Sequence, residues 1–216
     1  MENAELFYKQ PENQREQDNE AMHGLIAARS PNSLLEIGCG SGDMLNRYDN
    51  SRGIDINRSM VEFAQKRGNN VVLGDVTDSG VMEQYLGIDV IAANYVFTEL
   101  KAEQIKAAFK NIQYSLRNQG TFYFTITNPQ TRHREDLPGY KVVFDEQFKY
   151  ERKDIPFTVL LEDEDGKLRD VGIRDFHNPI GVYQENLYNA GFLETRIHEL
   201  SGKNDFVHAL LFECKK

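Results

Sequence analysis

Three glycines at alternate positions, Gly38, Gly40 and Gly42, follow the apolar run Leu34-Leu35-Glu36-Ile37. Glycine has no Cβ, so it takes positive φ and lets a ligand come close to the backbone. Glu36, two residues before the first glycine, can accept hydrogen bonds from a ligand ammonium group or hold the turn. Three further hydrogen-bonding side chains, Asp55, Asp75 and Asn94, each stand at the end of a short apolar run. Acids at strand ends suit ribose hydroxyls and amino groups. Taken alone, each acid could equally be a solvated loop carboxylate, and an alternating glycine turn could merely need small residues.

The spacing argues against a dinucleotide fingerprint. That motif places its third glycine three residues after the second, and the residue three after Gly40 is Asp43. A carboxylate at Glu36 would also oppose a pyrophosphate. The residues after the turn, Asp43 to Tyr48, read as the first turns of a helix whose free N–H groups would point at a polar ligand.

The elements that must position these groups alternate between strand and helix. Residues 33 to 42 read as a short apolar strand running into the glycine turn, and Arg52 to Asp55, Val71 to Val76, Ile88 to Asn94 and Thr121 to Thr127 as further strands. Between the last two, Ile105, Phe109, Ile112 and Leu116 recur at helical spacing over Lys101 to Leu116, which Asn118-Gln119-Gly120 should end in a turn. Asp78 reads as a helix cap and Asp89 as a strand start. Such alternation predicts a parallel sheet covered on both faces, with ligands outside the carboxyl ends of the strands. Further along, Phe157, Val159 and Leu161 alternate before an Asp165-Gly166 turn, and Leu168, Val171 and Ile173 resume beyond it, a hairpin pattern. A helix near Pro179 to Ala190 and a final antiparallel pair, Phe192 to Leu200 and Phe206 to Phe212, complete the chain.

In order and spacing, Leu35-Glu36-Ile37-Gly38-Cys39-Gly40-Ser41-Gly42, Asp55, Gly74-Asp75-Val76 and Asp89 to Asn94 resemble the class I S-adenosylmethionine-dependent methyltransferases of small-molecule type. The resemblance covers roughly residues 33 to 127. It implies a Rossmann-like, seven-stranded, mostly parallel α/β sheet with a terminal antiparallel strand and an inserted β-hairpin lid, in one methyltransferase domain over 1–216. Residues 1–30 would form an N-terminal cap, 31–127 the cofactor-binding core, 128–178 the substrate-lid region and 179–216 the closing helix and strands. The cofactor implied is S-adenosyl-L-methionine. Glu36 and the backbone of Gly38, Cys39 and Gly40 would face its methionine moiety, Asp55 its ribose, Ile56 its adenine ring, and Asp75 with the Val76 N–H its adenine nitrogens. Asn94, or its carbonyl, would lie near the methionine amine. Tyr95 would follow it near the reacting centre, and Tyr8 would belong to a segment folding over the cofactor.

Composition bounds the acceptor. The 216 residues carry 34 acids against 25 bases, a net charge of −9. Nucleic-acid binding depends on basic side chains that neutralise phosphates, and Arg132-His133-Arg134 is too short a basic run for it. DNA and RNA base aminomethyltransferases typically have a Pro-Pro-aromatic step where this chain has Asn94-Tyr95-Val96-Phe97. The expectation is therefore a small-molecule methyl acceptor with an O or N nucleophile, and neither a nucleic-acid nor a membrane partner. No apolar run is long enough to span a membrane, the first 20 residues lack the apolar stretch of a signal peptide, and two cysteines without a metal-ligand cluster fit a reducing compartment; a cytoplasmic enzyme without a metal is expected. On the acceptor side, Glu99 and His177 are the candidate catalytic residues. His177 stands where the hairpin rejoins the sheet, and a structural capping role is its alternative. His133 is a weaker candidate; His23, His198 and His208 read as structural or exposed, and Phe97 as core. A noncatalytic cofactor-binding protein and a different alkyl transfer on the same fold are the competing functions.

Overall fold

The computed structural model describes residues 14–134, 140–162, 165–201 and 206–216. Tyr8 lies outside them. The chain runs α1 (Gln14–Arg29), β1 (Leu34–Ile37), β2 (Ser51–Asp55), α2 (Arg58–Lys66), β3 (Val71–Leu73), α3 (Ser79–Met82), β4 (Ile88–Asn94), α4 (Ala102–Ser115) and β5 (Leu116–Thr127). It continues through β6 (Tyr140–Phe144), β7 (Ile155–Glu162), β8 (Leu168–His177), α5 (Ile180–Ala190), β9 (Glu194–Ser201) and β10 (Val207–Lys215).

Seven strands form the main sheet in the order β3-β2-β1-β4-β5-β10-β9. The first five pair in parallel, and β10 runs antiparallel to both β5 and β9. The chain returns past β1 to place β4 on its other side. That reversal opens a crevice at the carboxyl ends of β1 and β4, where α/β sheets bind their ligands.

Alternation along the strands sorts the core into two layers. Leu35, Ile91, Phe122, Phe124 and Phe212 point to the face covered by Ile105, Phe109 and Ile112 of α4 and by Tyr183 and Leu187 of α5. Leu34, Val90, Ala92, Tyr123 and Leu211 point to the other face, where Met22 and Ile26 of α1 cover them. Asp18, Met22 and Ile26 recur every four residues and are all buried, so one stripe of this mostly polar helix meets the sheet. At its far end the Arg29 guanidinium donates to Tyr123 Oη at 2.7 Å and to Glu213 at 3.0 Å.

Four features differ from the sequence reading. The residues after the glycine turn form only a 3-10 turn, Leu45–Arg47. The link from β1 to β2 is residues 38–50, and once the glycine turn has taken 38–42 only 43–50 remain, too few for a full crossover helix. Helix α4 stops at Ser115, and Asn118-Gln119-Gly120 lies inside β5, with Gln119 at φ +65°. The strands after Val71 and Thr121 also have other ends than expected, since β3 stops at Leu73 and β5 already begins at Leu116. Finally, the hairpin β7–β8 gains a third strand, β6, so the insertion is a small antiparallel sheet.

This small sheet is bolted to the loop after β4. Phe176 N donates to Thr98 O at 2.8 Å, Ala102 N to Asp154 Oδ1 at 2.6 Å, and Asn178 Nδ2 to Leu100 O at 3.2 Å. Buried Arg132 joins the end of β5 to β8 through Thr127 Oγ1, Thr127 O and Phe176 O. It is a structural tie, not part of a basic surface.

Phe97 is fully buried, with ring centroids 5.0, 5.7 and 5.2 Å from Phe109, Phe122 and Phe124. Truncating such an aromatic leaves a cavity as well as losing burial, so Phe97→Ala should lower the unfolding free energy by about 3–5 kcal/mol in urea titration. A loss below about 1 kcal/mol would show that the ring is not integral to the core.

Candidate functional site

The glycine turn hangs from the end of β2. Gly38 N and Cys39 N both donate to Ile54 O, at 2.8 and 3.2 Å, and Gly40 N donates to Asp55 Oδ2 at 2.8 Å. Gly38, Gly40 and Gly42 have φ of +63°, +50° and +78°, which only glycine adopts without strain. At Gly38 a Cβ would also collide with the Val96 side chain. Cys39 points the other way, into a cluster with Leu45, Val61, Ala64 and Val71. A Cβ on Gly53 would sit 2.7 Å from its sulfur. Burial raises the thiol's pKa, so Cys39 serves the turn by its size and not as a reactive group.

Asp55 is 8% exposed and accepts a second backbone bond, from Asn57 N to Oδ1 at 2.7 Å. Each oxygen thus takes one amide and keeps further acceptor capacity for hydroxyls. Asp75, after β3, accepts from Thr77 N and Thr77 Oγ1, both at 2.8 Å and both on Oδ1, which leaves Oδ2 its capacity. Between these acids Ile56 is 70% exposed, an apolar face open to a planar ring. Val76 is buried, its carbonyl held by Asn111. Asp78 caps α3, with Gly80 N at 2.8 Å, and Asp89 holds Asn32 N and Ser33 N, with Arg117 at its other oxygen.

Glu36 has the least ordinary environment. It is 6% exposed, and its Oε2 is buried without a hydrogen-bond partner. Burial holds its carboxyl well above the usual carboxylate range, and the nearby Asp43 and Asp55 add to the effect. Asp43 itself is balanced: burial pushes it up, but Ser41 Oγ and the Arg67 guanidinium at 2.6 Å more than reverse this. Of these acids Glu36 is therefore the one that holds its proton, and a cation beside it would favour the ionised form.

Across the crevice the Asn94 side chain is already engaged. Its Nδ2 donates to Asn19 of α1, and Thr125 Oγ1 donates to its Oδ1. Its backbone carbonyl is the part left to face a ligand. Tyr95 follows with φ +59°, and its hydroxyl donates to buried Asp18 of α1. The sequence reading assigned no site role to Asp18, Asn19 or His208, whose Nε2 also bonds Asp18. Only the four-residue spacing of Asp18 to Met22 and Ile26 could have placed Asp18 on a buried face.

Glu99 is exposed in the loop after β4. His177 is fully buried at the end of β8, with Nε2 2.9 Å from Tyr150 O and its ring edge-on to Phe148 and Tyr150. Burial lowers its pKa to about 4, with Arg132 and His133 adding to the shift and the Tyr150 bond opposing it. The structure thus gathers Glu36, the glycine turn, Asp55, Ile56, Asp75 and Asn94 along one edge of the main sheet, and sets His177 in the small sheet beside it.

The family model for a methyltransferase domain matches residues 35–122, from β1 into β5. These residues thus form a methyltransferase domain. Among solved structures, this methyltransferase fold is similar to the PH0226 protein of Pyrococcus horikoshii, with TM-score 0.68, 15% identity and 98% of each chain covered. It is also similar to an S-adenosylmethionine-dependent methyltransferase of Clostridium acetobutylicum, with TM-score 0.66, 13% identity, and 93% of this chain and 91% of that one covered. At such identities the likeness is one of fold. An uncharacterized protein of Methanocaldococcus jannaschii, MJ1252, is 28% identical over 95 residues, 44% of this chain. That stretch is 37% of MJ1252, so the match spans little more than a third of its length.

The residues present fit the family's cofactor. A partnerless buried carboxylate suits its ammonium group, the glycine cradle excludes any Cβ at Gly38, and an exposed isoleucine lies between two acids. The Glu36 charge is a burden on the protein without a ligand. Because its folded pKa is raised, stability falls as pH climbs from the ordinary value of 4.5 towards the raised one. Glu36→Gln should therefore raise the melting temperature at neutral pH, by about 2–4 °C per kcal/mol relieved. The gap should close near pH 4.5, where Glu36 is already neutral. A variant that melts below the wild type at pH 7 would contradict this.

Proposed function

We propose that this methyltransferase domain transfers the methyl group of S-adenosylmethionine to an O or N atom of a small molecule. The observation that carries the reading is the partnerless Glu36 carboxylate, buried at the head of a glycine turn that Asp55 holds open. Glu36, once ionised, accepts the ammonium of the methionine moiety. Asp55 receives the ribose hydroxyls with the capacity its two amide bonds leave, Ile56 packs against adenine, and Asp75 Oδ2 accepts from the adenine amino group. The bound sulfonium supplies a methyl carbon open to in-line displacement. The chain's own task is then to align the acceptor behind that carbon and exclude water.

Support for a small acceptor comes from charge and architecture. A net charge of −9 disfavours phosphate-rich partners. The small sheet β6–β7–β8, fixed to the loop after β4, gives the carboxyl edge a wall on the acceptor side. A cytoplasmic enzyme acting on a metabolite fits these features.

Incubation with methyl-labelled S-adenosylmethionine and a metabolite extract should move label into a small molecule. Label in protein or RNA would overturn the acceptor class. Cofactor affinity should rise with pH until Glu36 ionises in the free protein, because a cation selects the charged carboxylate. Below that point, calorimetry in buffers of different ionisation enthalpy should show a proton released on binding. No binding, or binding without proton release at any pH in this window, would contradict the Glu36 assignment. Asp55→Ala should weaken cofactor binding at least about tenfold, since it removes a charged acceptor worth about 1.5–3 kcal/mol; unchanged affinity would contradict its ribose role.

A further inference from the structure

The last strand has an irregularity at one residue. Val207 pairs with Ser201 and Ala209 with Leu200, so His208 is the extra residue on the β10 side. A bulge re-aims a side chain out of the strand's alternation and often lies beside an active site. Here the imidazole is turned onto α1: Nε2 stands 2.9 Å from both carboxylate oxygens of Asp18. Asp18 is 2% exposed and also accepts from Tyr95 Oη.

This pairing fixes the ring. A carboxylate accepts and does not donate, so Nε2 carries the proton, and in the neutral ring Nδ1 keeps its lone pair. That Nδ1 is buried and has no hydrogen-bond partner. An unmet buried polar atom costs about 1–3 kcal/mol. Tyr95 adds strain, because a non-glycine residue at positive φ is itself unfavourable. Both costs fall at the carboxyl edge of the main sheet. Tyr95 directly follows Asn94, and His208 O accepts from Asn128 N just beyond β5. Glu36 pairs with Ala92, and Asn94, two residues on, shares that face. The bare nitrogen thus lies on the α1 side of the sheet, the side of Glu36.

We propose that His208 is the general base of the transfer, with Asp18 and Tyr95 as the residues that position its ring. This rests on the methyltransferase reading above. The acceptor's lone pair forms the new bond to the methyl carbon, the electrons of the breaking C–S bond stay with sulfur, and the acceptor's O–H or N–H proton passes to Nδ1. Asp18 balances the imidazolium until the proton leaves to solvent. A base oriented by a buried carboxylate is the arrangement that proton abstraction from a nucleophile requires.

The test compares wild type, His208→Gln and Asp18→Asn by three readouts. These are S-adenosylmethionine affinity by calorimetry, label transfer to the small-molecule fraction that the wild type methylates, and ¹⁵N NMR of the His208 ring. The expected result is affinity within about twofold of wild type and transfer slowed about 100-fold or more in His208→Gln, the usual size of a general-base contribution. Wild-type spectra should show a protonated Nε2 and a bare Nδ1, and Asp18→Asn should lose that preference and part of the rate. Transfer by His208→Gln near the wild-type rate overturns the base while leaving the methyltransferase reading intact. A wild type that binds no cofactor removes that reading and the base with it. Should His208→Gln fail to fold, the wild-type spectrum decides, since a neutral ring protonated at Nδ1 cannot take the acceptor's proton there.

Discussion

Asp55 holds two backbone amides at once, Gly40 of the glycine turn and Asn57 at the start of α2. The first bond crosses from β2 to the loop after β1, and the second anchors the N-cap of the next helix, whose Oδ1 meets Ser59 N and Met60 N. One buried carboxylate thereby sets the relative position of the turn, the strand end and α2. With no long helix after the turn, the loop is anchored by Ile54 O, by Asp55, by its own bond from Gly42 N to Cys39 O, and by Arg67, which donates to Ser41 O and pairs with Asp43. The shape of the cradle is consequently a property of the β1–β2 joint, not of a helix N-terminus.

That joint also decides the electrostatics. Pinning the turn to Asp55 brings Glu36, Asp43 and Asp55 together, and Arg67 neutralises only Asp43. The remaining charge has no internal answer, so the protein holds a buried acid in a costly state until a cation arrives. A buried acid placed in this way favours a cationic ligand, whose charge stabilises the ionised carboxylate that burial alone disfavours. The opposite edge behaves differently: Arg29, Arg117 and Lys215, which border shallow clefts there, are paired with Glu213, Asp89 and Glu194. Charges are left unmatched where the carboxyl ends of the strands converge.

The cofactor half of this architecture was legible because its signals are local. An apolar run ending in Glu36-Ile37-Gly38, and others ending in Asp55, Asp75 and Asn94, report strands and their ends directly, and β4 falls on Ile88–Asn94 as read. What escaped depends on distant partners. The short link to β2 hid that Asp43 to Tyr48 would be a turn, because the local pattern looked helical. The third strand of the small sheet shows only through its pairing with β7. His208 was the deepest case: a bulge is set by register against β9, and Asp18 reaches it from 190 residues away. Neither residue type nor spacing reports such a contact.

The central claim, that Glu36 is an acid kept in wait for a cationic cofactor, is tested most directly by carboxyl ¹³C NMR of Glu36 across pH, with and without S-adenosylmethionine. In the free protein its titration should lie well above the ordinary value of 4.5, and the saturated complex should hold it ionised at pH values where the free protein holds it neutral. A Glu36 that titrates near 4.5 in the free protein, or that stays neutral in the complex, would contradict the account.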